Sequence, residues 1–189
     1  MFAPSADAIY QTGFDTTVTP GDLSRTLCGL KRPGHFEGVA TVVTILLRIT
    51  LADAVVMGEK DYQQLQIVRR MIRDLWLDVE VVEASTIRDP DGLAMSSRNR
   101  YLTTDQRQRA RSISTALHHA RAHIGEGVRD VPTLKGQIAE TLERAGLDVE
   151  YIQIVHPESL QEQSSAEPGC VVAVAALVGS TRLIDHVIA

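Results

Sequence analysis

Two short stretches of the 189-residue chain concentrate groups that bind anions. One is Gly58-Glu59-Lys60-Asp61; the other is Met95-Ser96-Ser97-Arg98, which runs on through Asn99 and Arg100. In the first, glycine lets the backbone come close to a bound group. The lysine supplies a flexible cation suited to phosphate, and the aspartate can cap a helix or accept from a ribose hydroxyl. In the second, two hydroxyls and a guanidinium fork could hold a polyphosphate whose charge moves during reaction. Each stretch has a plainer alternative. The first could be a turn with a solvated lysine, and the second a polar interdomain loop whose Arg98 and Arg100 pair with carboxylates. Proximity of the two in space would decide.

Other residues carry weaker signals. Arg32 to Phe36, "RPGHF", is a rigid turn that presents His35 beside a helix start, where it could polarise a ligand or simply pack. Gln64 lies one turn beyond Lys60, near the same strand end, unless it is only an exposed glutamine. His119 and His123 stand four apart on an expected helix, but no third ligand sits at a supporting spacing, so a metal site is not expected. Arg107, Arg109 and Arg111 read as an exposed charged face.

The elements that must position these groups follow from apolar periodicity. Val39, Val42, Val43, Leu46, Leu47 and Ile49 recur at helical spacing. The run Ala54 to Met57 ends at Gly58, and Leu65, Val68, Ile72 and Leu75 mark a helix after it. With "DVEVVEAS" following, this makes a βαβ unit and hence a parallel sheet, outside whose strand ends ligands collect. Thr103 and Gln106 form a capping-box pattern before a helix that Gly125 stops. Pro132 opens another, which Gly146 ends. "VEYIQIV", "GCVVAVAALV" and "TRLIDHVI" read as three strands of a small antiparallel sheet. Two domains, 1–86 and 87–189, are expected, with the boundary near Ser85 to Pro90.

Composition limits the function classes. Hydrophobic residues make up 44% of the chain and the formal net charge is -5, so there is material for a core and no basic coat for nucleic acid. Any anion site must therefore be local. Cys28 and Cys170 lie far apart and outside any paired spacing, which fits a reducing cytoplasm. No run of about 20 apolar residues suggests a membrane span, and the first residues have no signal-peptide pattern.

In their order, "RPGHF", "GVATVV", "GEKDYQQL", "DGLAMSSRNRYL" and "TRLIDH" resemble the pantoate-beta-alanine ligase family almost from end to end of the chain. The resemblance implies an α/β fold: part of a Rossmann-like, parallel-sheet nucleotide-binding domain followed by a small α+β C-terminal lid with an antiparallel sheet. It also implies an ATP- and Mg2+-dependent reaction. Pantoate becomes pantoyl adenylate with release of pyrophosphate, and beta-alanine then displaces AMP to give pantothenate. By the same resemblance Gly58, Glu59, Lys60, Asp61, Ile87, Met95, Ser96, Ser97 and Arg98 contact ATP, and Lys60, Ser96, Ser97 and Arg98 act in catalysis. Gln64 holds pantoate, and His35 sits near the pocket. Family members are typically cytoplasmic homodimers.

The family's Met-Gly-x-x-His-x-Gly-His and Asn-Pro-x-Gln-Phe segments do not occur in these 189 residues. Met1 is expected to fall inside a family strand, and Cys28, Ile45 and Ala52 stand where Glu, Lys and Pro are usual. The chain alone is therefore expected to keep about three strands of the sheet, to expose an apolar edge and not to catalyse adenylation. The alternative reading is an inactive module that binds nucleotide weakly or supports dimerisation.

Overall fold

The computed structural model describes residues 2–189. The expectation for Met1 falls outside them. The chain divides into two compact units. The first comprises residues 1–57 and 63–84. The second comprises residues 58–62 and 85–189, so the Lys60 turn groups with the C-terminal half of the chain.

In the first unit, α1 (Ala6–Ile9), a 3-10 turn (Asp22–Arg25) and α2 (Leu27–Lys31) precede the long helix α3 (His35–Thr50). Strand β1 (Ala54–Gly58) leads to α4 (Tyr62–Asp74), and β2 (Glu80–Ala84) returns parallel to β1. Leu65, Val68, Met71 and Ile72 of α4 pack with Ala40 and Leu47 of α3 and Met57 of β1. These positions recur every three or four residues, which places them on one side of each helix.

The buried stripe of α3 differs from the expected one. It runs through Phe36, Ala40, Thr41 and Leu47, while Ile49 is exposed. The β-branched run 42–45 suits several faces equally, so apolar content did not single one out. Leu75, expected on the buried face of α4, lies past the helix end and is exposed. The two-stranded sheet is poorly covered. Val56 of β1 is 67% exposed and Val82 of β2 39%, although strands of a parallel sheet are ordinarily buried on both faces.

In the second unit, α5 (Thr104–Gly125) starts at the expected capping box. Thr103 Oγ1 accepts from the Gln106 N–H, and Gln106 Oε1 accepts from the Thr103 N–H. Asp130 caps α6 (Val131–Arg144) by accepting from the Thr133 N–H at 2.8 Å, and Gly146 (φ 71°) follows its end. Strands β3 (Asp148–Val155), β4 (Val171–Val178) and β5 (Thr181–Ile188) form an antiparallel sheet in that spatial order. Gly179 (φ 61°) opens the two-residue hairpin loop between β4 and β5, as a type II′ turn requires. Leu117, Ile124, Leu134, Ile138 and Leu142 of the helices pack on Ile154, Val172, Val174, Leu183 and Val187 of the sheet. β5 is an edge strand. Alternation puts Leu183, Asp185 and Val187 on its helix side and Arg182, Ile184 and His186 on the other.

Candidate functional site

A shallow cleft, mostly open to solvent and enclosing room for no more than about one water molecule, lies along β5 in the second unit. Lys60, Ser96 and Arg98 line it, with Arg182, Leu183, Ile184 and Asp185 of β5 and Asn99. Lys60 of the first anion-seeking stretch and Ser96 and Arg98 of the second therefore border one shallow cleft, which brings the two stretches close together.

The first stretch ends β1. Glu59–Asp61 form a single 3-10 turn between β1 and α4. Gly58 has an ordinary φ of -71°, and a Cβ there would meet nothing within 4 Å. Neither backbone conformation nor internal packing calls for glycine here, and its bare backbone stays open to approach. Lys60 is mostly buried, with Nζ 3.8 Å from Asp61 Oδ1. Asp61 itself is half exposed, so this pair is a weak, solvent-screened one.

The second stretch is a one-turn helix rather than an irregular loop: Ser97–Tyr101 are 3-10, and Ser96 caps them by accepting from the Arg98 N–H at 3.2 Å. Buried Asn99 fastens the turn by donating from Nδ2 to the Ala94 carbonyl at 3.0 Å. Ser96 and Arg98 face the cleft, whereas Ser97 is exposed and is not among the lining residues. Among the described residues no carboxylate pairs with Arg98, and Arg100 turns instead to Tyr101, donating to its hydroxyl and stacking over its ring. The plainer reading, in which both arginines are tied up by carboxylates, does not hold.

Residues the sequence did not mark complete the walls. Arg182 brings a third cation to the cleft while its Nε donates to Glu150 at 2.7 Å. Arg88 grips Asp185 with both arms of its guanidinium, at 2.6 and 3.0 Å, and also reaches the Gly92 carbonyl. Arg88 thus neutralises Asp185 and Glu150 neutralises Arg182, which leaves Lys60 and Arg98 as the cations of the lining without a close, buried carboxylate partner among the described residues. His186, also buried, lies 4.0 Å from Glu59 Oε1 and 5.0 Å, centroid to centroid, from the Tyr62 ring. Burial lowers its pKa below the ordinary imidazole value. These partners are far apart in sequence, Arg88 and Asp185 by 97 residues, and no local spacing betrays them.

The arginines of α5 need a correction. They are not a bare solvated face: Arg107 bridges Asp89 and Asp91 at 2.7 and 2.8 Å, and Arg111 Nε donates to the Asp91 carbonyl. They hold the segment that leads into Met95–Arg98. The Arg107 guanidinium in turn keeps the Asp91 carboxyl below its usual pKa.

The remaining candidates lie elsewhere. Ile87 is exposed, and its carbonyl accepts from the Met95 N–H at 2.9 Å, beside the one-pair bridge of Arg88 with Ala94. Met95 is also half exposed. His35 begins α3 in the first unit, with its Nε2 2.9 Å from an Arg32 guanidinium nitrogen. Gln64 is partly buried in the first turn of α4, also in the first unit. Its neighbour Gln63 is the buried amide there, accepting from the Cys28 N–H and donating to the carbonyls of Leu23 and Thr26. His119 and His123 line a separate hollow between α5 and α6, where Gln137 Oε1 is 2.9 Å from His123 Nδ1. Among the described residues no group of three or more His, Cys, Asp or Glu is placed to hold a metal ion. Nor is any helix there long and apolar enough to cross a membrane.

The chain as a whole is similar to known proteins. The pantothenate synthetase of Anaeromyxobacter dehalogenans is 46% identical over 187 residues, covering 98% of this chain and 65% of that protein. Pantothenate synthetase 1 of Bradyrhizobium diazoefficiens is 47% identical, covering 100% of this chain and 66% of that protein. The chain thus spans just under two thirds of the length of these relatives. Among solved structures, pantothenate synthetase from Thermus thermophilus superposes with a TM-score of 0.93 at 42% identity, over 99% of this chain and 68% of that one. The pantoate-beta-alanine ligase of Francisella tularensis, complexed with beta-gamma ATP and beta-alanine, gives 0.73 at 30% identity, over 98% of this chain and 62% of that one. The sequence model for pantoate-beta-alanine ligase matches residues 1–188, so sequence and fold agree: the chain belongs to the pantoate-beta-alanine ligase family.

Proposed function

We propose that the cleft grips the phosphates of ATP in the condensation of pantoate with beta-alanine to pantothenate. The observation that carries this reading is the convergence of Lys60, Ser96 and Arg98 on one hollow. Adenylation asks for little covalent help from protein. The pantoate carboxylate attacks the α-phosphorus, the bond to pyrophosphate breaks, and the protein's task is alignment and neutralisation of the leaving charge. The beta-alanine amine then attacks the acyl carbon of the adenylate, and AMP leaves.

Within this reading Lys60 and Arg98 are the cations for the departing phosphates, and Ser96 and Ser97 the hydroxyl donors. Gly58 and Glu59 offer backbone to the nucleotide, Asp61 its carboxylate to the ribose, and Ile87 and Met95 the backbone beside adenine. By the family resemblance Gln64, in the first unit, serves pantoate, and His35 stays a candidate there. Mg2+ bound through the phosphate oxygens would supply further charge neutralisation. A homodimer in the cytoplasm is the setting that the family resemblance implies.

The residues present suit nucleotide binding more fully than turnover, because the His-x-Gly-His signature is not among them. Titration calorimetry of the full chain with ATP should therefore show binding that Lys60→Ala weakens by roughly tenfold, the value of a charge-assisted contact to phosphate. Equal heats from both proteins would remove the site from Lys60. Pantoate-dependent ATP–pyrophosphate exchange by these 189 residues should stay at background, and normal turnover would overturn that expectation.

A further inference from the structure

We propose that His186 is a positioning residue that holds the Lys60 turn in its phosphate-facing place. The inference rests on the reading of the cleft as a phosphate site and adds a residue that never touches the ligand. His186 projects from β5 on the face opposite the helical core and is only 6% exposed. Two residues of the short segment that carries Lys60 lean on it. Glu59 comes within 4.0 Å through Oε1, and the Tyr62 ring lies 5.0 Å away at an interplanar angle of 47°.

Each of these two is fixed at a second point. Glu59 Oε2 accepts from the Thr86 N–H at 3.2 Å, and the Tyr62 hydroxyl donates to the Pro157 carbonyl at 3.1 Å. Residues on either side of Lys60 are thus bracketed between the imidazole and a backbone group. The lysine, next to one bracket in the chain and close to the other, has little freedom except along its own side chain.

The chemistry of the imidazole suits this task. Packed against a tyrosine ring, it needs to be flat and apolar on its faces, and beside a carboxylate it needs a polar edge. Burial opposes a charge on it, which lessens any competition with Lys60 for the same anion. A leucine would fill the space without the polar edge, and a glutamine would keep a polar group near the position of Nε2.

The test is a double-mutant cycle on the full chain, read by calorimetric titration with inorganic tripolyphosphate. Lys60→Ala, His186→Leu and the double variant are compared with the parent. His186→Leu should weaken binding by roughly three- to thirtyfold, and should add nothing once Lys60 is gone, because it acts through that lysine. His186→Gln should restore most of the loss. A similar loss from His186→Leu in both backgrounds, or none in the parent, overturns the proposal while leaving the phosphate site standing. If Lys60→Ala itself binds like the parent, the phosphate reading fails first and takes this inference with it. Should His186→Leu not fold, His186→Gln and His186→Asn carry the comparison: the first should bind like the parent and the second more weakly, and equal binding overturns the proposal.

Discussion

His186 also sets a pH dependence that belongs to a single side chain. Desolvation lowers its pKa from 6.5, the nearby Asp185 and Glu59 carboxylates pull it back up, and Arg88 and Lys60 push it down again. A histidine whose folded pKa is depressed binds fewer protons folded than unfolded between the two values, so stability rises with pH across that window. The stabilisation is complete above the ordinary value of 6.5 and is lost as pH falls below it. Urea unfolding midpoints should drop between about pH 7 and about pH 5, and His186→Gln should flatten that slope. A variant with an unchanged slope would show that His186 does not set the dependence. Lys60, Ser96 and Arg98 were readable from sequence because each sits in a compact run of like-purposed groups. His186 was not, because its meaning comes from Glu59 and Tyr62, which lie far earlier in the chain.

At the scale of elements, the cleft is shaped by clamps on the segment between β2 and α5. Arg88 ties its beginning to β5 through Asp185, and Arg107 ties its middle through Asp89 and Asp91. Asp185 is nearly fully buried and Arg88 mostly so, hence breaking the pair leaves a cation without its partner in a poorly hydrated place. Asp185→Asn should cost about 2–3 kcal/mol, somewhat less than a wholly buried pair because Arg88 keeps some water. Denaturant titration measures it, and a loss under about 0.5 kcal/mol would class the pair with surface bridges. The elements that local rules govern were legible: the Thr103–Gln106 box, the helix opened at Pro132, the three C-terminal strands and the βαβ order all follow from nearest neighbours along the chain. The 3-10 turn at Ser97–Tyr101 was not, since two serines and two arginines carry no helical period. Its fastening through Asn99 is visible only once Ala94 is in place.

For the molecule as a whole, the two units differ in how much apolar surface they hide. The second buries a three-stranded sheet beneath two helices, with Leu117, Leu134, Leu142 and Val172 fully out of water. The first has a smaller core around Leu65 and Val68, and its two strands leave Val56 and Val82 in solvent together with Leu51 and Trp76. Leu51 and Trp76 also hold positive φ, of 50° and 52°, where a side chain is strained. Backbone hydrogen bonds open most readily where few apolar contacts shield them, so the units should not exchange amide protons alike. Native-state hydrogen exchange should find the slowest amides in α5, α6 and β4. Those of β1, β2 and α3 should exchange faster by about two orders of magnitude, as a difference of roughly 3 kcal/mol in opening free energy requires. Amides of the Glu59–Tyr62 turn should follow the second unit, because Thr86, Pro157 and His186 hold it there. If the turn exchanges instead with β1 and α4, Lys60 belongs dynamically to the weaker unit, and the cleft along β5 would lose one wall before the other unfolds.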